Sequence, residues 1–133
     1  MASDTIVSIY TDVDIVVARQ KGRELASELG FGLTDSTLIA TAISELARNI
    51  VLYARQGEIV IKNSRAGDRV CIVVVARDKG PGIADIPQAM QDGFSTSGGL
   101  GLGLPGVKRL MDEFHLVSDA NAGTTITIKK WKR

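Results

Sequence analysis

The sequence predicts a two-layer α/β sandwich, one mixed, mainly antiparallel sheet of about five strands with about three helices on one face. Two observations carry this. Runs rich in β-branched residues come in pairs around short turns, 58–62 with 69–77 and 115–119 with 124–131, which is the hairpin pattern. Three other segments repeat apolar residues at helical spacing. Grouped strands and separate helices make one layered unit, and 133 residues supply a single core, so 1–133 is read as one domain.

In chain order, the β-branched run at 5–10 predicts a first strand. Thr11 or Asp12 can cap the helix that follows, whose apolar stripe is Ile15, Ala18, Gly22, Leu25, Ala26 and Leu29, with Gly30 as its stop. Val13, Val17, Arg19 and Arg23 lie off that stripe, as a solvated face or a partner-docking face. Asp35 is placed as the cap of a second helix over 36–53, with Leu38, Ile39, Ala42, Ile43, Leu46, Ala47 and Ile50 as its apolar arc. Glu45 and Asn49 are one turn apart at the margin of that arc, where either a polar border or a cleft would lie.

A hairpin follows, its strands at 58–62 and 69–77 joined by a loop over 63–68; the second strand is apolar enough to be central. It ends in Asp78-Lys-Gly80-Pro-Gly82, a sharp turn that begins with a carboxylate. A short helix is expected over 86–92 and a longer one over 104–114. His115 falls at the junction with the last hairpin, which turns at Asn121-Ala-Gly123.

Bulk properties exclude several classes. A net charge of +1 leaves no basic field for nucleic acid. No segment approaches bilayer-spanning length and no signal-peptide run opens the chain, so a cytoplasmic protein without membrane attachment is expected. The lone Cys71 sits in an apolar run as a small buried hydrophobe, in keeping with a reducing compartment. With one cysteine and one histidine, disulfide frameworks, zinc sites and Ser-His-Asp chemistry are set aside.

The most informative stretch is 93–106, GFSTSGGLGLGLPG, six of whose fourteen residues are glycine. Helical periodicity resumes at once, and Pro105 suits a first turn. A glycine loop feeding a helix N-terminus gathers unpaired N–H groups and the positive dipole end, which suits polyphosphate. No GxxxxGK[ST] string is present. Gly101-Leu-Gly103-Leu-Pro-Gly106 spells a dinucleotide fingerprint, but it follows Ser-Thr-Ser-Gly-Gly rather than a buried strand. The HRD and DFG elements of the common protein kinases are missing.

Four boxes occur in order: Glu45-Leu-Ala-Arg-Asn49, Asp78-Lys-Gly80-Pro-Gly82, Gly99-Leu-Gly101-Leu-Gly103 and Gly123-Thr124. They resemble the N box, the two glycine boxes and the final Gly-Thr of the GHKL (Bergerat-fold) ATP-binding superfamily, across essentially the whole chain. The strings DGFSTSGGLG and LPGVKRLMDEF further resemble the switch serine/threonine kinases of the stressosome pathway. The resemblance implies a Bergerat fold, ATP and Mg²⁺ as cofactors, and a set of roles. Asn49 would give its side-chain oxygen to Mg²⁺, and Glu45 would accept the proton of the attacking hydroxyl. Asp78 would accept a hydrogen bond from the adenine amino group, where guanine has a repelling carbonyl. Gly80 and Gly82 would let the backbone pass the base, and Thr124 would reach the adenine side. Gly99, Gly101 and Gly103 would bring N–H groups to the phosphates, with Ser97 in a closing lid over 95–99. Arg48, inside the N box, is left between a phosphate contact and a solvent-facing position.

The histidine kinases of the superfamily need a phosphoacceptor histidine on a dimerisation helix. The gyrase, heat-shock and mismatch-repair relatives need large further domains. An ATP module without these is expected to act on a separate protein. The resemblance implies a serine of STAS-domain antagonist proteins as substrate and scaffold, and a PP2C-type phosphatase as a second partner activated by binding. The alternative is an anti-sigma factor whose output is ATP-modulated sequestration.

Overall fold

The computed structural model describes residues 4–80, 103–119 and 123–133. The sheet has five strands: β1 (Thr5–Ile9), β2 (Gly57–Ala66), β3 (Arg69–Asp78), β4 (Glu113–Asp119) and β5 (Gly123–Trp131), in spatial order β1-β2-β3-β5-β4. All four pairings are antiparallel, so the sheet is not mixed among the described residues. Among the described residues three helices, α1 (Asp12–Glu28), α2 (Leu33–Asn49) and α3 (Gly103–Leu110), form the second layer of the α/β sandwich. Ile59, Ile61, Ile72, Val74, Ala76, Ile126 and Ile128 share one core with Ala18, Ala26, Ile39, Ile43, Leu46 and Val107 of the helices. Burying a run of such side chains is the main driving term of the fold. Apolar β3 is the central strand.

Helix α1 follows the stripe read from its sequence, with Ile15, Ala18, Gly22 and Ala26 buried. Asp14 accepts the backbone N–H groups of Tyr10 and Thr11 at 2.8 and 3.0 Å, tying off the helix start. Those two donors hold the Asp14 carboxyl below its ordinary value. The helix stops at Gly30, φ +88, and the Phe31 N–H returns to the Ala26 carbonyl at 3.0 Å. Gly22 lets α1 and α2 meet closely, since a Cβ there would collide with Ile43 Cδ1.

Several boundaries differ from the sequence expectation. Helix α2 starts at Leu33 with Gly32 as its cap, because the Ser36 N–H already closes on the Gly32 carbonyl at 2.9 Å. Asp35 sits inside the first turn, its carboxylate 4.0 Å from Lys130 Nζ. Past Asn49 the helix widens into a π turn, Ile50–Ala54, which ends at Arg55 in the left-handed region, φ +69. The loop expected over 63–68 shrinks to Gly67-Asp68, because β2 stays paired with β3 as far as Ala66–Arg69. Helix α3 ends at Leu110 rather than at 114. There Lys130 Nζ caps the Leu110 carbonyl at 2.9 Å, and the Asp112 N–H bonds the Lys129 carbonyl at 3.0 Å. The chain is thus drawn onto β5, and His115 lies exposed within β4, opposite Thr127, not at a helix–strand junction. Cys71 is free and buried, which pushes its thiol pKa up. No described helix is long and apolar enough to cross a membrane.

Candidate functional site

Asp78 is the last residue of β3, and the register sets it beside two neighbours, Gly57 of β2 and Thr124 of β5. Alternation from buried Ile72, Val74 and Ala76 turns Asp78 toward the helical layer. Thr124, 8% exposed, shares a hydrogen bond of 2.9 Å with Ser118 Oγ on β4. Asp78, Thr124 and Ser118 therefore form a polar row across one end of the sheet. Asp78 Oδ1 accepts the Gly80 N–H at 2.9 Å, an Asx turn that fixes the carboxylate and leaves Oδ2 without a donor among the described residues.

The end of α2 covers this row. Ile50 follows Asn49 directly, and its Cγ2 would lie 2.9 Å from a Cβ on Gly57, with Asp78 Cβ at 3.1 Å. A Cβ on Gly80 would meet Ala54 Cβ at 2.7 Å, so the π turn rests on the loop that leaves β3. From the other side Gly123, φ +87, packs against the Asp78 carbonyl, and a Cβ there would stand 2.7 Å from Lys79 Cα. The Asp78–Gly80 segment is held between Ala54 and Gly123, both contacts requiring the missing side chain. Gly80 thus serves packing against Ala54, a reason the sequence did not suggest.

One turn before Asn49, Glu45 is 8% exposed although it is charged. It lines an open groove of about 440 Å³ between α1 and α2, with Arg19, Gln20, Arg23, Ala40, Thr41 and Ser44. The Ser44 hydroxyl is satisfied within the helix, donating to the Ala40 carbonyl at 3.0 Å. Arg48 Nη1 approaches Glu45 Oε1 at 3.5 Å. Among the described residues no three His, Cys, Asp or Glu side chains gather as a metal site.

The structure therefore brings Asp78, Gly80 and Thr124 together with the end of α2 that carries Asn49. Glu45 faces the α1–α2 groove from the same helix. Gly103 opens α3, whose Leu104, Pro105, Gly106 and Val107 are buried. Gly82, Ser97, Gly99 and Gly101 lie outside the described residues, as does the helix expected over 86–92. The π turn, Ser118 and the Glu45–Arg48 pair were missed by sequence reasoning. The pair was open to it, because the two residues stand at i,i+3 in one helix.

Comparison with known proteins shows the family and the fold. Residues 34–133 match the family described as histidine kinase-, DNA gyrase B-, and HSP90-like ATPase. Over 133 residues, all of both chains, the sequence is 57% identical to the serine/threonine-protein kinase RsbT of Bacillus subtilis. It is 31% identical over 103 residues to an anti-sigma F factor of Halalkalibacterium halodurans, covering 74% of this chain and 70% of the relative. A solved structure of the RsbU and RsbW domains of a Mycobacterium tuberculosis protein superposes with a TM-score of 0.66 at 22% identity. It covers 99% of this chain and 33% of that one, a likeness of fold. The chain belongs to the histidine kinase-, DNA gyrase B- and HSP90-like (GHKL) ATPase family, and within it to the serine/threonine-protein kinases.

Proposed function

We propose that this kinase binds Mg-ATP at the end of the sheet and passes the γ-phosphate to a serine of a STAS-domain antagonist protein. The observation that carries the reading is the convergence of Asp78 and Thr124 on adjacent strands beneath the Asn49 end of α2. Asp78 Oδ2 is the acceptor for the adenine amino group, its partner oxygen being committed to Gly80. Asn49 offers a neutral oxygen, and the lack of a carboxylate cluster among the described residues suits Mg²⁺ held mainly by phosphate oxygens and water. Mg²⁺ so bound would neutralise charge on the transferring phosphoryl group. Gly99 and Gly101 would bring backbone N–H groups to the phosphates beside Gly103 at the start of α3, Gly82 would let the backbone pass the base, and Ser97 would belong to the lid over 95–99.

Glu45 is the general base in this reading. The acceptor serine loses its proton to the Glu45 carboxylate as its oxygen bonds to phosphorus. The bond between the γ-phosphorus and the bridging oxygen breaks, and ADP leaves. The groove with Arg19 and Arg23 gives Glu45 an opening between α1 and α2, through which a partner's serine can approach. Incubation with Mg-ATP and a STAS-domain protein labels one partner serine. Glu45→Ala abolishes the label while nucleotide binding persists, and a label that survives the substitution removes Glu45 from this role.

Binding of a PP2C-type phosphatase by the same chain, as an activator, belongs to this proposal. The second reading, ATP-modulated sequestration of a sigma factor, is favoured by the 31% identity to an anti-sigma F factor. It also suits the exposed Val13, Val16 and Val17 on α1. Pull-down of a sigma factor, with STAS-domain proteins and the phosphatase ignored, selects that reading.

A further inference from the structure

Glu45 has a choice of cations. Its side chain is 10% exposed, and the half-exposed Arg48, three residues on in α2, reaches it, Nη1 to Oε1 at 3.5 Å. Across the groove, Arg19 and Arg23 of α1 are exposed and form no ion pair among the described residues. A carboxylate between unpaired guanidinium groups and one on its own helix takes the orientation of whichever holds it. Drawn toward α1, it would leave the edge it shares with Asn49.

We propose that Arg48 is a positioning residue for the transfer reaction. It engages Oε1 of Glu45, keeps the carboxylate on the α2 edge, and leaves Oε2 as the oxygen that takes the acceptor proton. This rests on the reading of Glu45 as general base. The proton moves from the serine hydroxyl to Oε2 as the new oxygen–phosphorus bond forms, and Arg48 stays charged throughout, because its guanidinium does not lose a proton near neutrality. A partly exposed pair at i,i+3 adds little to stability, so its effect falls on rate rather than on folding.

The test is phosphate transfer to a STAS-domain protein by the wild type, Arg48→Ala, Arg48→Lys, Glu45→Ala and the double variant Arg48→Ala/Glu45→Ala. Mg-ATP affinity is measured for each in the absence of acceptor. A displaced base costs about 10- to 100-fold in rate. Arg48→Ala is expected to lose that much in kcat, with KM for ATP and Mg-ATP affinity held within about 2-fold. Lysine, which carries the charge without the planar fork, restores part of the loss. Because Arg48 acts through Glu45, removing it in the Glu45→Ala background leaves the residual transfer, followed at high enzyme concentration, unchanged.

An Arg48→Ala enzyme with wild-type kcat, while Glu45→Ala is inactive, overturns the positioning role and leaves the base intact. Weakened Mg-ATP affinity in Arg48→Ala also overturns it, assigning Arg48 to the phosphates. A Glu45→Ala enzyme that still transfers phosphate removes the base, and the inference with it.

Discussion

Asp78→Asn separates nucleotide recognition from folding more cleanly than any other substitution at this site. Asparagine has the size of aspartate, and its carbonyl oxygen can keep the 2.9 Å bond from the Gly80 N–H. That bond fixes the amide's orientation, because the opposite rotamer would set an NH₂ against the Gly80 donor. The NH₂ is then forced into the place of Oδ2, where it meets the adenine amino group as donor against donor. Losing the acceptor and leaving the base's amino group unpaired costs about 1–3 kcal/mol. The corresponding loss in ATP affinity is roughly 5- to 150-fold. Isothermal titration with Mg-ATP measures the loss directly, and thermal unfolding without nucleotide should leave Tm nearly unchanged because the Asx turn survives. Wild-type affinity in Asp78→Asn would refute the placement of adenine on this carboxylate. A large drop in Tm would refute the account of the turn.

Gly123→Ala forces an L side chain into φ +87 and onto the Asp78 and Lys79 backbone. Overpacking of this kind costs about 1–3 kcal/mol, so Tm should fall by roughly 3–12 °C and ATP affinity should drop with it. Gly22→Ala presses on Ile43 Cδ1 between α1 and α2, not on the Asp78–Gly80 segment; it should destabilise by about 1–3 kcal/mol in urea unfolding, leaving Mg-ATP affinity intact in the folded fraction. Burial raises the Asp112 pKa, but the Arg133 guanidinium and the Trp131 N–H, at 2.9 and 2.7 Å, outweigh it and hold the carboxyl below its ordinary value. Its contribution is therefore fully present above the unfolded aspartate value of about 3.9 and is lost as pH falls through the lower folded value. Urea midpoints followed from pH 6 to acid should decline less steeply at that end in Asp112→Asn than in the wild type.

The strands and the two hairpins were legible because paired β-branched runs report burial directly, as in apolar β3 at the centre of the sheet. The register that seats Asp78 beside Thr124 was not, because it follows from long-range pairing of β3 with β5. Residues 63–66 read as loop from their polar side chains, yet backbone hydrogen bonds to β3 hold them in the ladder without a buried face. Helix ends were misplaced for two reasons: a local backbone bond at Gly32 starts α2 before Asp35, and the Lys130 ammonium on the Leu110 carbonyl, from twenty residues away, closes α3. At the site, the glycines of the boxes announced themselves, and two of them have packing reasons that the sequence did not supply. Gly80 and Gly123 make room for Ala54 and for the β3 exit, contacts from segments far apart in sequence. Gly82, Ser97, Gly99 and Gly101 remain readings of the sequence.

The most direct measurement is the transfer of radiolabelled γ-phosphate from ATP to a purified STAS-domain protein, with the labelled residue mapped, run beside Glu45→Ala. One labelled serine with the wild-type enzyme, and none with a Glu45→Ala enzyme that still binds Mg-ATP, is the result expected. Equal labelling by both proteins, or a sigma factor held in an ATP-dependent complex with no labelled serine anywhere, would contradict the account.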